Sequence, residues 1–189
     1  ASAVVIANWA SNAKGTELAL KAFKNAPKDS LCFLDPADIS TRWDEFKECL
    51  NKLSGHIDVL SLNENECRLT MQSLGLSPLP INYSGTDVTA AARTLASKLS
   101  INVDVHTPIG SATSDGKGTS FAKSLDVNVT ISTGAGDIWD AADLAGYLCN
   151  LSADERLLFA NTCAAYYISK FESPTLQEAS KFSRTIEVQ

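Results

Sequence analysis

Hydrophobic positions along the first hundred residues alternate between short solid runs and longer, spaced ones. Residues 3–7 are a short run rich in β-branched side chains, and helical spacing follows over 18–23. The run 31–34 comes next, with helical spacing again over 43–53. A third run, 57–62, precedes two helical segments at 64–74 and 86–99, and a fourth covers 101–105. Strands apolar on both faces and separated by helices predict βαβ units and a parallel sheet.

The pattern changes between 108 and 129, where helical spacing stops. Gly116 and Gly118 mark a turn between two short extended pieces. A further run at 127–131 reads as a strand. Helices are then predicted over 135–148, 153–170 and 175–182, with Ser152 and Glu155 forming a capping box for the second. No repeat or linker interrupts the chain, so 1–189 reads as one compact α/β domain.

Composition adds exclusions. A net charge of −6 with no run of Lys or Arg argues against a nucleic-acid surface. No apolar stretch is long enough to span a bilayer, and residues 1–10 lack a signal-peptide pattern. The five cysteines are odd in number and scattered, and the two histidines are isolated, which predicts reduced thiols and no zinc site. The expectation is a soluble, cytoplasmic protein.

In open parallel sheets, ligands bind beyond the carboxyl ends of the strands. The residues at those ends are Asn8, with Asn12 and Lys14 behind it; Asp35, with Asp38; Asn63, with Glu66; and His106 with Thr107. Singly, most of them have a bland role: Asn8, Asn12 or Asn63 as a helix cap, Asp35 before Pro36 as a turn residue. Arg42 joins Asn8, Asn12, Lys14 and Asp35 as a rim candidate for contacting a substrate.

The strongest signal is the segment S-T-G-A-G-D-I-W-D over 132–140. A glycine-rich turn entering a helix gathers free backbone N–H groups and the positive end of the helix dipole at one point. Gly134 and Gly136 lack a Cβ, so an anion can come close to the backbone. Asp137 then sits beside that anion, where a carboxylate repels it unless it serves the chemistry. As a general base it would take the proton of an attacking hydroxyl. The plainer alternative is a turn with a dipole-complementing aspartate. A Rossmann dinucleotide site is disfavoured, because 7–11 after the first strand contains no glycine.

The T-G-A-G-D motif resembles the C-terminal signature of the ribokinase/PfkB carbohydrate kinases. Asn63-Glu-Asn-Glu66 is similar to that family's N-x-x-E motif, Leu34-Asp-Pro36 with Trp43 to its D-P segment, and Ser173-Pro-Thr175 to its closing P-T segment. Residues 105–112 resemble its strand and turn, with Gly110 as the second glycine. Residues 159–165 resemble the helix that borders the adenine pocket. The resemblance implies a ribokinase-like three-layer αβα fold with a mostly parallel central sheet. It implies an anion hole of Gly134, Ala135 and Gly136, Asp137 as catalytic base, and Mg²⁺ organised by Asn63 and Glu66 through water. ATP would be bound by Thr133, Gly110 and Asn161, its adenine between the turn around Gly110 to Gly118 and the Asn161 helix. The reaction implied is transfer of the γ-phosphoryl to a hydroxyl of a sugar or similar small molecule.

Two family features have no counterpart. The G-G-N substrate motif and the β-sheet lid are absent, and no Gly-Gly pair occurs. Thr107-Pro108 stands where the family places the first glycine of the 105–110 turn. Either a longer chain supplies the missing parts or the site works without a lid. A domain that binds nucleotide without catalysis is the alternative reading.

Overall fold

A computed structural model describes residues 1–185, so the last four residues of the expected 1–189 domain lie outside it. Strands β1 (Ala3–Ile6), β2 (Leu31–Leu34), β3 (Val59–Asn63) and β4 (Asn102–Thr107) pair in parallel. Strands β5 (Gly110–Ser114) and β6 (Thr119–Lys123) extend the sheet antiparallel, in the order β1-β2-β3-β4-β5-β6. The sheet is thus mostly parallel, as expected, with an antiparallel edge. The links after β4 and β5 are hairpin turns, too short for the crossover a parallel neighbour needs.

Helices α1 (Gly15–Lys24), α2 (Trp43–Leu53), α3 (Glu64–Ser73) and α4 (Gly85–Leu99) connect the parallel strands. Because β1 to β4 advance in one direction, right-handed crossovers put all four helices on the same face. There Phe46, Met71, Val88 and Leu95 pack on Leu34, Leu60, Leu62, Val103 and Val105 in the main core. Helices α5 (Ala135–Leu148), α6 (Ala153–Lys170) and α7 (Leu176–Ser183) form the third layer, around a smaller cluster of Trp139, Leu157, Ala160 and Cys163. Ser152 and Glu155 close the expected capping box at α6. Among the described residues, no helix is long and apolar enough to cross a membrane.

One sequence expectation fails. Residues 127–131 form no strand. The N–H groups of Thr130 and Ile131 bond to the Ile168 carbonyl, at the C-terminal end of α6. The run is β-branched enough to read as a strand, but its backbone partner is a helix end and not a sheet edge.

Alternation along the strands sends a different set of side chains to the α5–α7 face. Ser61 of β3, Asp104 and His106 of β4, and Ser111 and Thr113 of β5 all point that way, and the layer between sheet and helices is polar. Arg156 lies in its middle with its side chain 4% exposed. It pairs with Asp143 and with Asp104 at 3.2 Å, donates to Thr113 Oγ1 at 2.9 Å, and stacks over the Tyr147 ring. Burial first, then the charge of Asp104, pushes the Asp143 carboxyl well above the ordinary range.

Candidate active site

The C-terminal ends of β3 and β4, the segment 124–136 and the flank of α6 enclose a cavity of about 670 Å³. One end is apolar, lined by Leu125, Val127, Val129, Ala164, Ala165 and Ile168. The other is polar, with Asn63, His106, Ser132 and Gly136. An apolar slot running into a cluster of polar groups is the general form of a small-molecule site.

The polar end is built by the entry to α5. Gly134 caps the helix with a φ of 87°, a left-handed conformation that favours glycine. A Cβ there would lie 2.8 Å from the Tyr167 hydroxyl, which donates to the Thr133 carbonyl and holds the loop. The Ala135 N–H is already bonded to the Ser132 carbonyl at 3.1 Å. The next two N–H groups, of Gly136 and Asp137, have no partner among the described residues. Free donors at a helix N-terminus favour an anion. They belong to Gly136 and Asp137, one step later than a Gly134–Gly136 hole would place them.

Carboxylates gather beside these donors. Asp137 is exposed in the first turn of α5, and Asp140 follows one turn later. Asp140 accepts a 2.5 Å hydrogen bond from Ser61 Oγ and lies near Asp35, whose charge acts on it. Burial raises the Asp35 carboxyl, and the charge of Asp137 adds to it. Burial also raises Asp140 well above the ordinary range, with Asp35 as the next cause.

Asn63 and Glu66 form a closed capping box at the start of α3. The Asn63 side chain accepts from the Asn65 and Glu66 N–H groups at 2.9 Å. Glu66 accepts from the Asn63 N–H at 2.9 Å and from Asn63 Nδ2 at 2.6 Å. Glu66 is buried, which raises its carboxyl to about 7, with Asp35, Asp38 and Glu64 adding to the shift. Each of its oxygens accepts one bond, so a cation that ligated Glu66 directly would share those oxygens with the cap.

The other expected residues are placed unequally. Asn161 lines the cavity, but its side chain is fully engaged: it accepts from Ser111 Oγ and Trp139 Nε1 and donates to the Ala122 and Lys123 carbonyls. Thr133 and Gly110 do not line it, and Gly110 packs against the Ala122 carbonyl at the start of β5. Gly116 and Gly118 sit at the far end of the β5–β6 hairpin, so the lining there comes from Pro108 and 124–129 instead. Asn8, Asn12 and Lys14 are exposed in the loop after β1. Arg42 pins that loop through 2.9 Å bonds to the Ala10 and Asn12 carbonyls, and stacks on Trp9. Sequence reasoning passed over Asp140, Ser61 and Trp139. Asp140 was visible in outline, a second acid three residues beyond Asp137 in a mainly apolar helix.

The chain matches the model of the pfkB family carbohydrate kinases over residues 1–179. No curated protein is found to match its sequence. Among solved structures it is similar to a putative sugar kinase from Clostridium perfringens, at 22% identity and a TM-score of 0.77 over 99% of this chain and 55% of that one. It is similar to the adenosine kinase of Sinorhizobium meliloti, at 18% identity and a TM-score of 0.75 over 97% and 54%. A third is the Arabidopsis thaliana ribokinase complexed with ribose and ATP, at 22% identity and a TM-score of 0.69 over 89% and 53%. The chain thus spans about half the length of the structures it resembles, and at these identities the likeness shows a shared ribokinase-like fold.

Proposed function

The chain belongs to the pfkB family of carbohydrate kinases, and on that premise we propose that it carries the nucleotide and catalytic site of an ATP-dependent phosphotransferase acting on a hydroxyl of a sugar or similar small molecule. The observation behind this reading is the start of α5. Two unpartnered N–H groups, of Gly136 and Asp137, lie in the same helical turn as the Asp137 carboxylate. Donors fixed at one point stabilise charge that develops on a transferring phosphoryl, and a carboxylate on the same residue can take a proton there.

In this reading the adenine occupies the apolar end of the cavity and the phosphates reach the α5 N-terminus. Asp137 accepts the proton of the acceptor hydroxyl as its oxygen attacks the γ-phosphorus. The bond from that phosphorus to the bridging oxygen breaks, and ADP leaves. Asp35, Asn8, Asn12 and Lys14 are the rim groups offered to the acceptor. Burial, and for Asp140 the charge of Asp35, raise the Asp35 and Asp140 carboxyls beside Asp137, which favours their protonated forms and limits the negative charge around the base.

Asn63 and Glu66 would hold Mg²⁺ through its water shell. Among the described residues no cluster of three metal-ligating side chains exists, and the closed capping box suits a hydrated ion better than direct ligation. When bound there, such an ion would supply positive charge against that of the phosphates.

The test pairs two variants. Asp137→Asn is expected to keep ATP binding, measured by calorimetry with Mg²⁺, while phosphotransfer to a panel of sugars and nucleosides falls on the order of 10²- to 10⁴-fold. Gly136→Val is expected to abolish ATP binding, since a Cβ there already lies 3.3 Å from His106 Cε1. Full phosphotransfer by Asp137→Asn, or unchanged binding by Gly136→Val, overturns the reading.

A further inference from the structure

The cavity assigned to the nucleotide has an unusual lining for a polyanion. No Lys or Arg is among its lining residues, which include the acidic Glu64 and Asp126. One basic nitrogen does line it, that of His106 at the end of β4. Its ring stacks on Trp139, with centroids 5.0 Å apart and planes 28° apart. Trp139 is itself fixed, through the 2.8 Å bond from its indole N–H to Asn161. The edge of the imidazole faces the start of α5. Cε1 lies 3.3 Å and Nε2 3.9 Å from where a Cβ on Gly136 would be. No hydrogen bond joins either ring nitrogen to the described residues, and the residue is partly buried.

We propose that His106 holds the phosphate chain of the bound nucleotide, by donating a hydrogen bond from Nε2 beside the free N–H groups of Gly136 and Asp137. Four features converge on this. The ring is preorganised by Trp139, its Nε2 edge faces the anion cradle, it has no competing partner, and it is the one basic side chain lining a cavity expected to receive a polyanion. Held by that stack, the ring offers a directed donor.

This inference rests on the nucleotide reading above, and its test separates the two. ATP and adenosine binding are measured, with Mg²⁺, for the wild-type chain, His106→Phe and His106→Gln. Phenylalanine keeps the stack on Trp139 and removes the donor; glutamine restores an N–H. The expected result is that His106→Phe binds ATP at least about tenfold more weakly, the range for a hydrogen bond to a charged group, and binds adenosine as well as wild type. His106→Gln should recover much of the ATP affinity. Equal ATP affinity in His106→Phe overturns the proposal, as does an equal loss for adenosine, which would make the ring a wall of the base pocket. Failure of wild-type chain to bind ATP removes the nucleotide reading itself. A measurement on wild-type protein avoids dependence on a variant's folding. The chain has two histidines, so ¹⁵N-histidine labelling resolves His106 with His56 as reference. ATP should shift the His106 Nε2 resonance and adenosine should not; an unmoved resonance at saturating ATP rejects the contact.

Discussion

Leu62 and Ser61 are neighbours on β3 that enter opposite faces of one sheet, and the two layers they join are held together differently. Beneath α1–α4 the contacts are apolar, and Leu60, Leu62, Val103 and Val105 are fully buried. Beneath α5 and α6, strands β3, β4 and β5 present Ser61, Asp104, Ser111 and Thr113, each tied to a named partner across the layer. Apolar packing tolerates exchange of similar volumes, whereas a buried polar layer is sensitive to the loss of any one member. The contrast teaches where function can sit. The polar layer runs up to the rim at Asp140 and His106, so the groups that fix α5 to the sheet also set the geometry of its N-terminus.

The largest stability effect expected from breaking this contrast is at Arg156. Its guanidinium faces two buried carboxyls, Asp104 and Asp143. Arg156→Met leaves them without their cation, and removal of one partner of a buried pair costs about 3–5 kcal/mol. Chemical denaturation of the variant should show that loss. The triple change Arg156→Met, Asp104→Val, Asp143→Leu should return most of it, because a well-packed apolar replacement needs no compensation. If the triple variant is no better than the single one, the layer depends on shape and not on charge.

A smaller effect separates the two neighbours. Leu62→Ala should cost about 2–5 kcal/mol, the range for a truncated core leucine. Ser61→Ala should cost about 1 kcal/mol, the value of one hydrogen bond. Its consequence belongs to the site, where Asp140 loses its donor and is drawn further towards Asp35. Unfolding curves of the two variants compare the faces on one strand, and equal losses would show that the polar face contributes as much packing as the apolar one.

This difference also sets what could be read from sequence. The apolar layer was legible because burial on both faces leaves solid hydrophobic runs, and the runs at 31–34 and 57–62 fall on β2 and β3. The turn at Gly134 and the helix after it were legible too, since a glycine-rich turn before a helix predicts the left-handed φ of 87° found there. The polar layer was not. Asp104 reads as an interruption of a strand, Arg156 as a charge on a helix, and Asn161 as a nucleotide contact, although its four hydrogen-bonding positions are filled within the protein. Pairings between residues some fifty positions apart, such as Asp104 with Arg156, leave no local pattern. The run at 127–131 misled for the same reason, its partner being the distant end of α6.

The finest expected effect is a pair of opposed pH dependences at the rim of the site. His106 titrates near 6.5 when unfolded and is pushed down to about 4 in the fold. Between those values the unfolded chain binds the extra proton, so stability from this group is lost as pH falls from 6.5 to 4. Glu66 moves the other way, from 4.5 to about 7. There the folded chain binds the extra proton, and stability is lost as pH rises from 4.5 to 7. Each slope is at most about 1.4 kcal/mol per pH unit, and between 4.5 and 6.5 the two largely cancel. Single variants should uncover them. Relative to wild type, His106→Phe should gain stability as pH falls below 6.5, and Glu66→Gln should gain it as pH rises towards 7. Urea midpoints in buffers from pH 4.5 to 7.5 measure both. Parallel curves for wild type and His106→Phe would mean that the imidazole is as free to ionise in the fold as in the unfolded chain, and that solvent reaches the ring on more than its cavity edge.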